Sequence, residues 1–423
     1  MLTLLISFFI LVLLRVPVAI SLALSTILML SMSNFNMNMM PQRMFTALDS
    51  FPMMAIPGFV LAGAIMARGG ISKYLIEALR AWVGHLPGGL SVVTLLACGI
   101  FAAISGSSPA TAAAIGSIMI PALIAAGYNK RYAYGLVAAG GTLGILIPPS
   151  VPLIIYGITS EESIGKLFMA GVIPGLGLLA VLVIAAIVYA KMQGNKGDEK
   201  ATWEERGRKS LKAIWGAFLP VLILGTIYTG VVTPTESAVI AVVYGLIVSI
   251  FIYRELSWKD FRQVMVESVN ITAMIFLIIG AASLFGLYLT NEQIPHKVGQ
   301  WIAESDMNKW TFMLIVNFLF FILGMFLEAV SVILITLPIL LPILKDFGID
   351  LYHFAIIMTI NLELGMITPP VGLNLFVVAG IAKEKLGEII RGVIPFIVLM
   401  IAYLVVVILF PQLSLWLPFG IGK

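Results

Sequence analysis

The stretch GTLGILIPPS (141–150) places two adjacent prolines inside a long apolar run, and ELGMITPPVG (363–372) does the same near the other end of the chain. A proline lacks the backbone donor that a helix needs and strains the preceding turn, so two in succession interrupt a helix. The sequence therefore predicts two broken helices, one over residues 132–157 and one over residues 352–378.

The composition around these motifs is that of a membrane protein. Hydrophobic residues make up 60% of the 423 residues and charged residues 11%, and apolar runs near the roughly 20 residues needed to span a bilayer recur along the chain. Cys98 is the only cysteine, which excludes an intrachain disulfide and a multi-cysteine metal site. The net charge of +4 does not indicate nucleic-acid binding, because basic residues in a membrane protein mainly report its orientation. We expect an all-α polytopic membrane protein surrounded by the lipid bilayer.

The chain also repeats itself. Gly171-Val172-Ile173-Pro174 recurs 221 residues later as Gly392-Val393-Ile394-Pro395, and such self-similarity indicates an internally repeated fold. The same spacing relates Pro148-Pro149 to Pro369-Pro370, Gly144 to Gly365, Pro121 to Pro342 and Gly127 to Gly348. We therefore predict two repeats, residues 1–190 and 213–423, joined by a polar linker over residues 191–212.

Each repeat contains a second interruption before its broken helix. In the first, ISGSSPAT (104–111) separates two apolar arms, which predicts a re-entrant hairpin over residues 90–126. In the second, residues 324–329 separate the arms of a hairpin over residues 311–345. Five full crossings plus one hairpin per repeat make the second repeat inverted. With the linker in the cytoplasm, 19 of the 25 Lys and Arg residues fall on that side, as the positive-inside rule requires, and both termini are periplasmic.

Hairpin tips and helix breaks have a chemical use inside a membrane. Unpaired backbone at that depth is tolerated only within protein or beside a polar cavity. It offers carbonyls to a dehydrated cation, while the N-termini of the half-helices offer amides and a positive dipole end to an anion. Inverted repeats with broken helices at matching positions point to the binding site of a secondary transporter.

At these residues the sequence resembles the large membrane subunit of the TRAP (tripartite ATP-independent periplasmic) transporters. The stretches that carry the resemblance are LAGAIMARGG (61–70), GSSPATAAAIGSIMIPAL (106–123), GTLGILIPPSVPLIIYG (141–157), GVVTPTESAVIAVVYG (230–245) and ELGMITPPVGLNLFV (363–377). The resemblance implies a sodium-coupled, elevator-type importer of organic acids in the bacterial inner membrane. It also implies two partners, a small four-helix membrane subunit and a periplasmic substrate-binding protein.

The resemblance places the sodium ligands at the hairpin tips and helix breaks, which here are Ser105, Gly106, Ser107, Ser108, Gly140, Gly141, Thr142, Gly324, Glu328, Gly365 and Thr368. The same regions provide the substrate-binding candidates Ser108, Thr111, Pro148, Pro149, Asn361, Pro369, Pro370 and Asn374. No catalytic residue, no organic cofactor and no metal other than sodium is expected. The second tip carries Phe326-Leu327-Glu328 where the first has Ser105-Gly106-Ser107, so we expect the two ion sites to differ chemically.

Three acidic residues have structural interpretations as well. Glu328 has the alternative of capping the amides of the hairpin's second arm. Glu363, inside the break, is open between bonding amides freed by the break and direct ligation. For Glu236, which follows Thr233-Pro234-Thr235, we favour a helix N-terminal acid that complements the helix dipole.

Two other functions remain as alternatives. A stand-alone sodium-coupled dicarboxylate carrier would share much of this architecture but would need no binding protein. An intramembrane serine protease built on Ser105 is a remote alternative, because the required base would have to be His85, His296 or His353, all at predicted membrane ends. No arginine lies in the predicted core, so C4-dicarboxylates and acidic sugars such as sialic acid are both compatible. Several residues of the second tip and break can form hydrogen bonds with hydroxyl groups, which favours the acidic sugar as the substrate.

Overall fold

The computed structural model describes residues 2–32, 35–194, 197–305 and 307–420, which form α-helices, a short 3-10 helix (Phe51–Met54) and a π-helical turn (Val248–Ile252), and which contain no strand. The first ten helices are α1 (Leu2–Leu13), α2 (Val18–Met32), α3 (Met39–Leu48), α4 (Ala55–Arg68), α5 (Ile71–Val83), α6 (Gly89–Ser105), α7 (Ser108–Ala125), α8 (Lys130–Leu146), α9 (Val151–Ser160) and α10 (Ile164–Gln193). The remaining ten are α11 (Trp203–Tyr228), α12 (Pro234–Ile247), α13 (Trp258–Asn291), α14 (Ile294–Glu304), α15 (Lys309–Phe326), α16 (Ala329–Asp346), α17 (Leu351–Met366), α18 (Leu373–Ala382), α19 (Leu386–Leu409) and α20 (Gln412–Gly420). Within the described residues, ten helical segments are long and apolar enough to cross a membrane. The predicted class, an all-α polytopic membrane protein, is confirmed.

Both halves of the chain place a helical hairpin before an interrupted helix. The hairpins are α6–α7 and α15–α16, and the interrupted helices are α8–α9 and α17–α18. The first interruption lies at Ile147–Ser150 and the second at Ile367–Gly372, so each contains one of the Pro-Pro pairs. A long helix, α10 or α19, follows in each half.

The hairpin tips are shorter than the polar stretches in the sequence suggest. Helix α7 already begins at Ser108, which leaves only Gly106 and Ser107 outside the helices. Pro109 lies in the first turn of α7, where a proline removes a donor that has no partner in any case. In the second hairpin only Leu327 and Glu328 lie between α15 and α16.

The polar linker is largely taken up by helices. Helix α10 continues to Gln193 and α11 begins at Trp203, so the connecting segment is shorter than 191–212. The backbone N–H of Asp198 donates to the carbonyl of Gly84 at 2.9 Å, and Arg80 Nε donates to the Asp198 carboxylate at 2.6 Å. The hydrogen bond to Asp198 also raises the pKa of Arg80 above its ordinary value. Asp198 thus attaches its part of the linker to the end of α5.

The helices pack in two groups. The first group, here called the frame, comprises α1–α4 and α11–α13, and the second, here called the hairpin bundle, comprises α6–α10 and α15–α20. Helix α5 joins α4 of the frame to α6 of the bundle, and α14 joins α13 of the frame to α15 of the bundle. Each half therefore passes from the frame into the bundle through one short helix.

The two interrupted helices form the centre of the hairpin bundle. Every residue from Tyr132 to Leu146 of α8 and from Leu351 to Met366 of α17 is buried. The first break, residues 147–150, is buried throughout. Its backbone is therefore enclosed by protein, as the membrane environment demands of unpaired amides and carbonyls.

Candidate functional site

The two hairpin tips meet at one small cavity. It has a volume of about 50 Å³ and is lined by Gly106, Ser107 and Ser108 of the first tip and by Glu328 and Ala329 of the second. The frame contributes the opposite wall through Val60 of α4 and Ile271 and Ile275 of α13. Polar tips from both halves of the chain thus face an apolar wall of the frame.

The first tip concentrates neutral oxygen atoms. The hydroxyls of Ser105 and Thr111 are 2.8 Å apart, and Thr111 Oγ1 donates to the Ser107 carbonyl at 2.9 Å. Ser105 Oγ also lies 3.3 Å from that carbonyl. Ser105 and Thr111 are both buried. Carbonyls at unwound backbone and the ends of half-helices are the groups with which broken-helix transporters coordinate sodium, so this cluster is a candidate cation site.

The backbone of the first tip touches the first break. Gly106 has φ +60°, and a Cβ added there would lie 2.7 Å from the Pro149 carbonyl oxygen. A Cβ on Gly144 would lie 2.4 Å from the carbonyl oxygen of Ser107. The backbone N–H of Val151 donates to the Gly106 carbonyl at 3.4 Å. Glycine is required here both for the left-handed turn and for the close approach.

The second tip is built on a different contact. Gly324 and Gly365 face each other where α15 crosses α17, since a Cβ on Gly365 would lie 2.5 Å from the backbone of Gly324. Glu328 occupies the N-cap position of α16 but makes no side-chain hydrogen bond to the amides of that helix. The capping alternative is therefore not realised in this structure, and the Glu328 side chain lines the cavity between the tips instead.

Asn374 joins the second break to the first tip. Its Nδ2 donates to Ser108 Oγ at 2.7 Å and lies 3.3 Å from the Ala138 carbonyl. Asn374 and Ser108 are both fully buried, and Asn374 Oδ1 has no hydrogen-bond partner among the described residues. A residue at the start of α18 thus holds a residue at the start of α7.

Several other candidates from the sequence lie away from this cavity. Gly140 packs on Cys98 and Gly141 on Ala112, and the Thr142 hydroxyl donates to a carbonyl of its own helix at 2.7 Å. The Thr368 hydroxyl, in the second break, donates to the Leu364 carbonyl at the end of α17 at 2.6 Å. Asn361 Nδ2 donates to Asn317 Oδ1 at 2.5 Å. Pro148 belongs to the buried first break, whereas Pro369 is half-buried and Pro370 exposed in the second. The Asn361 side chain therefore links α17 to α15 in this structure.

Glu363 is fully buried. Neither of its carboxylate oxygens has a hydrogen-bond partner among the described residues. The hydrogen bonds to freed backbone amides that the sequence suggested for Glu363 are therefore not formed among the described residues.

A second cavity of about 400 Å³ adjoins the first. Val60, Ser107 and Ile271 line both, and small side chains of α4 and α7, including Ala64, Ala110 and Ala114, line the larger one. Its lining includes Arg68 and Glu267, whose side chains form an ion pair at 2.7 Å. Arg68 is one of the 19 basic residues assigned above to the cytoplasmic side, and Glu267 was not among the candidates from the sequence. An acid within an apolar helix is a functional candidate by default, and that signal would have identified Glu267.

The family is decided by a sequence comparison. The family model of the "Tripartite ATP-independent periplasmic transporter, DctM component" matches residues 5–413. The chain belongs to this family. Among similar proteins, the "C4-dicarboxylate TRAP transporter large permease protein DctM" of Pseudomonas aeruginosa is 43% identical over 380 residues, which are 90% of this chain and 89% of that protein. The "Sialic acid TRAP transporter permease protein SiaT" of Haemophilus influenzae is 35% identical over 378 residues, or 89% of this chain and 61% of that protein.

A solved structure agrees with the architecture of the permease. The YdaH transporter of Alcanivorax borkumensis superimposes with a TM-score of 0.63 over 91% of this chain and 88% of that one, at 14% identity, which shows the fold alone. The resemblance inferred from the tips and breaks is confirmed by the family match, and the relatives named above are transporter permeases and not enzymes. The family works with a substrate-binding protein and a small membrane subunit.

Proposed function

We propose that this chain is the large permease subunit of a sodium-coupled TRAP system that imports an organic acid by an elevator movement of the hairpin bundle against the frame. The observation that carries the proposal is the convergence of both hairpin tips on one cavity whose far wall belongs to the frame. A site at such a boundary is exposed to opposite sides of the membrane when one group of helices moves past the other.

The residues at the tips fit a sodium ion. At the first tip, the Ser105 and Thr111 hydroxyls and the Ser107 carbonyl would hold it, with the carbonyls of Gly106 and Pro149 close by. At the second tip, Glu328 would contribute a charge, with Gly324, Gly365 and Thr368 at the neighbouring helix crossing and break. Sodium would supply the positive charge that offsets the carboxylates of the substrate.

The connections between the helix groups support an elevator. Helices α5 and α14 are the short links from frame to bundle in the two halves. Hydrogen bonds to Glu255 from Lys73, at 2.9 Å, and from Tyr74, at 3.1 Å, hold α5 to the segment between α12 and α13. We infer that α5 stays with the frame while α6 and α7 move, and that the matching element order of the halves reflects inverted repeats.

The substrate is an organic anion, and a C4-dicarboxylate is favoured. No arginine or lysine lines the small cavity among the described residues, so amides, hydroxyls and helix dipoles would hold the anion. The 43% identity with a C4-dicarboxylate permease exceeds the 35% identity with a sialic acid permease. This comparison outweighs the preference for an acidic sugar that the hydroxyl-compatible residues suggested.

Membership of the family supports the partners and the placement. We infer that the chain lies in the bacterial inner membrane with a small four-helix subunit and receives substrate from a periplasmic binding protein. The distribution of basic residues supports cytoplasmic placement of the α10–α11 linker and periplasmic placement of both termini.

Uptake by proteoliposomes tests the proposal. Vesicles containing this chain and its small subunit receive an inward sodium gradient, with or without the binding protein, and are offered labelled succinate or sialic acid. The expected result is succinate uptake that needs both sodium and the binding protein. Sodium-driven uptake without the binding protein would make the chain a stand-alone carrier, and uptake independent of sodium would contradict the coupling.

A further inference from the structure

A large groove lies on the outer surface of the hairpin bundle, away from the tips. Its volume is about 640 Å³, within the usual range of small-molecule sites, and it is formed by the first turn of α8, the second half of α10 and the first half of α19. None of the functional candidates discussed above lines it.

The walls of the groove are apolar and open to the surroundings of the protein. Along α10, Ile184, Val188 and Met192 are 61%, 50% and 79% exposed, and all three line the groove. Its opposite side includes Tyr132, whose ring stacks on that of Tyr189 with centroids 3.8 Å apart. Such a surface at membrane depth suits an acyl chain.

Cationic side chains stand at one end of the groove. Arg131 and Arg391 both line it, and both contact Glu388, at 2.5 Å from Arg131 Nε and at 3.4 Å from Arg391 Nη1. The Arg391 side chain is 65% exposed, so most of it is accessible to a ligand from outside the protein. Two arginines and one glutamate give this end a net positive charge, and the N-termini of α8 and α19 lie here as well.

We propose that this groove binds an anionic phospholipid, with the headgroup phosphate on Arg391 and an acyl chain between α10 and α19. Guanidinium groups match phosphate oxygens in geometry and charge, and basic pockets between transmembrane helices on the cytoplasmic side are a known form of anionic lipid site. The distribution of basic residues places this end of the helices in the cytoplasm. Arg131 is held in position by Glu388, so Arg391 carries most of the phosphate contact.

A lipid in this position contacts three helices of the hairpin bundle at once. It bridges α8, which leads into the first break, to the two long helices α10 and α19 that pack against it. The expected consequence is a more stable bundle when the lipid is bound. This inference does not depend on the coupling ion or on the substrate.

Native mass spectrometry of the full chain, alone and with its small membrane subunit, tests the site. The protein is exchanged into detergent with phosphatidylglycerol or phosphatidylcholine, and retained lipid is counted while the melting temperature is followed. We expect one retained phosphatidylglycerol that resists delipidation and raises the melting temperature, and no equivalent retention of phosphatidylcholine.

Matched variants separate this groove from general surface charge. Arg391→Gln should weaken phosphatidylglycerol binding about fivefold, the equivalent of roughly 1 kcal/mol for one basic residue near the lipid surface. Lys385→Gln makes the same charge change at the start of α19, outside the groove lining, and should leave binding unchanged. Val181→Phe fills the groove and should reduce retention, whereas Val398→Phe, on the exposed face of α19, should not.

Three results would overturn the proposal. Equal retention of both lipids, or equal loss in Arg391→Gln and Lys385→Gln, would reduce the effect to general electrostatics. Loss of the retained lipid when the small subunit is present would show that a protein helix occupies the groove instead. If Arg391→Gln fails to purify as a monodisperse protein, the pair Val181→Phe and Val398→Phe decides the question.

Discussion

The two hairpin tips share an architecture but differ in chemistry. The first tip holds buried hydroxyls and a carbonyl in mutual contact, and the break beside it is buried throughout. The second tip holds one half-buried carboxylate, Glu328, and its break leaves Pro370 and Val371 exposed. The backbone of each half therefore fixes where a site can form, and the few side chains at the tip decide what kind of ion or group it can hold.

The tips also turn differently. Gly106 has φ +60°, a left-handed conformation, whereas Leu327 at the second tip is extended with φ −115°. Only the first tip therefore needs a glycine. The two sites would respond to different changes, since the first depends on its backbone and the second on its charge.

The largest effect is expected from Gly106→Ala. A Cβ at this position would lie 2.7 Å from the Pro149 oxygen, and such overpacking costs about 1–3 kcal/mol, which corresponds to about a 5- to 150-fold rise in the sodium concentration for half-maximal uptake. Gly127→Ala is the control, because Gly127 also has positive φ but no atom within 4 Å of the added Cβ. Both variants carry the left-handed penalty of about 1–2 kcal/mol, but only Gly106→Ala should change the sodium response. Equal responses would mean that the first tip does not bind the ion.

Glu328→Gln should have the next largest effect. It removes the only charge at the second tip while keeping its shape, and a charged contact is worth about 1.5–3 kcal/mol. Because Glu328 is half-buried, we expect the lower end, about a tenfold rise in the sodium concentration for half-maximal uptake. Glu304→Gln removes an exposed acid at the end of α14 and serves as the control. If Glu328→Gln left the sodium response unchanged while Gly106→Ala abolished it, the second tip would not be a cation site.

Whether the sequence predicts a feature of the tips and breaks depends on how far apart in the chain the interacting residues lie. The breaks at Pro148-Pro149 and Pro369-Pro370 follow from covalent structure, so sequence alone predicts them. The pairing of Asn374 with Ser108 joins residues 266 positions apart and depends on how α18 packs against α7, which no local pattern encodes. The partner of Asn361 on α15 escaped prediction for the same reason. The frame wall at Val60 and Ile271 consists of ordinary apolar residues that carry no sequence signal.

The bond between Asn374 and Ser108 gives a smaller, measurable coupling between the halves. Asn374→Ala and Ser108→Ala each break it. Ser108→Ala should weaken sodium-dependent uptake by about fivefold, the equivalent of roughly 1 kcal/mol for one buried hydrogen bond, and Asn374→Ala by more, because it also removes the contact with the Ala138 carbonyl. Because both changes remove the same contact, the double variant should be about fivefold better than the product of the single effects. Ser117→Ala, which removes a hydroxyl bonded only to its own helix, should leave sodium-dependent uptake unchanged. Strictly additive single effects would mean that the second break does not hold the first tip.

Glu236 is the acid that should change stability without changing sodium response. The structure confirms its predicted role, because its carboxylate accepts from the Thr233 N–H at 2.7 Å while the Thr233 hydroxyl accepts from the Glu236 N–H at 3.3 Å, a capping box at the start of α12. Glu236→Ala should therefore lower the stability of the protein, seen as a reduced melting temperature, because α12 loses the acid that complements its N-terminal dipole. Glu236→Gln keeps the capping geometry and should lose less. Neither variant should alter the sodium concentration for half-maximal uptake. A shift as large as that of Glu328→Gln would show that any acid near the membrane tunes the sodium response, and the charge difference between the tips would then explain nothing.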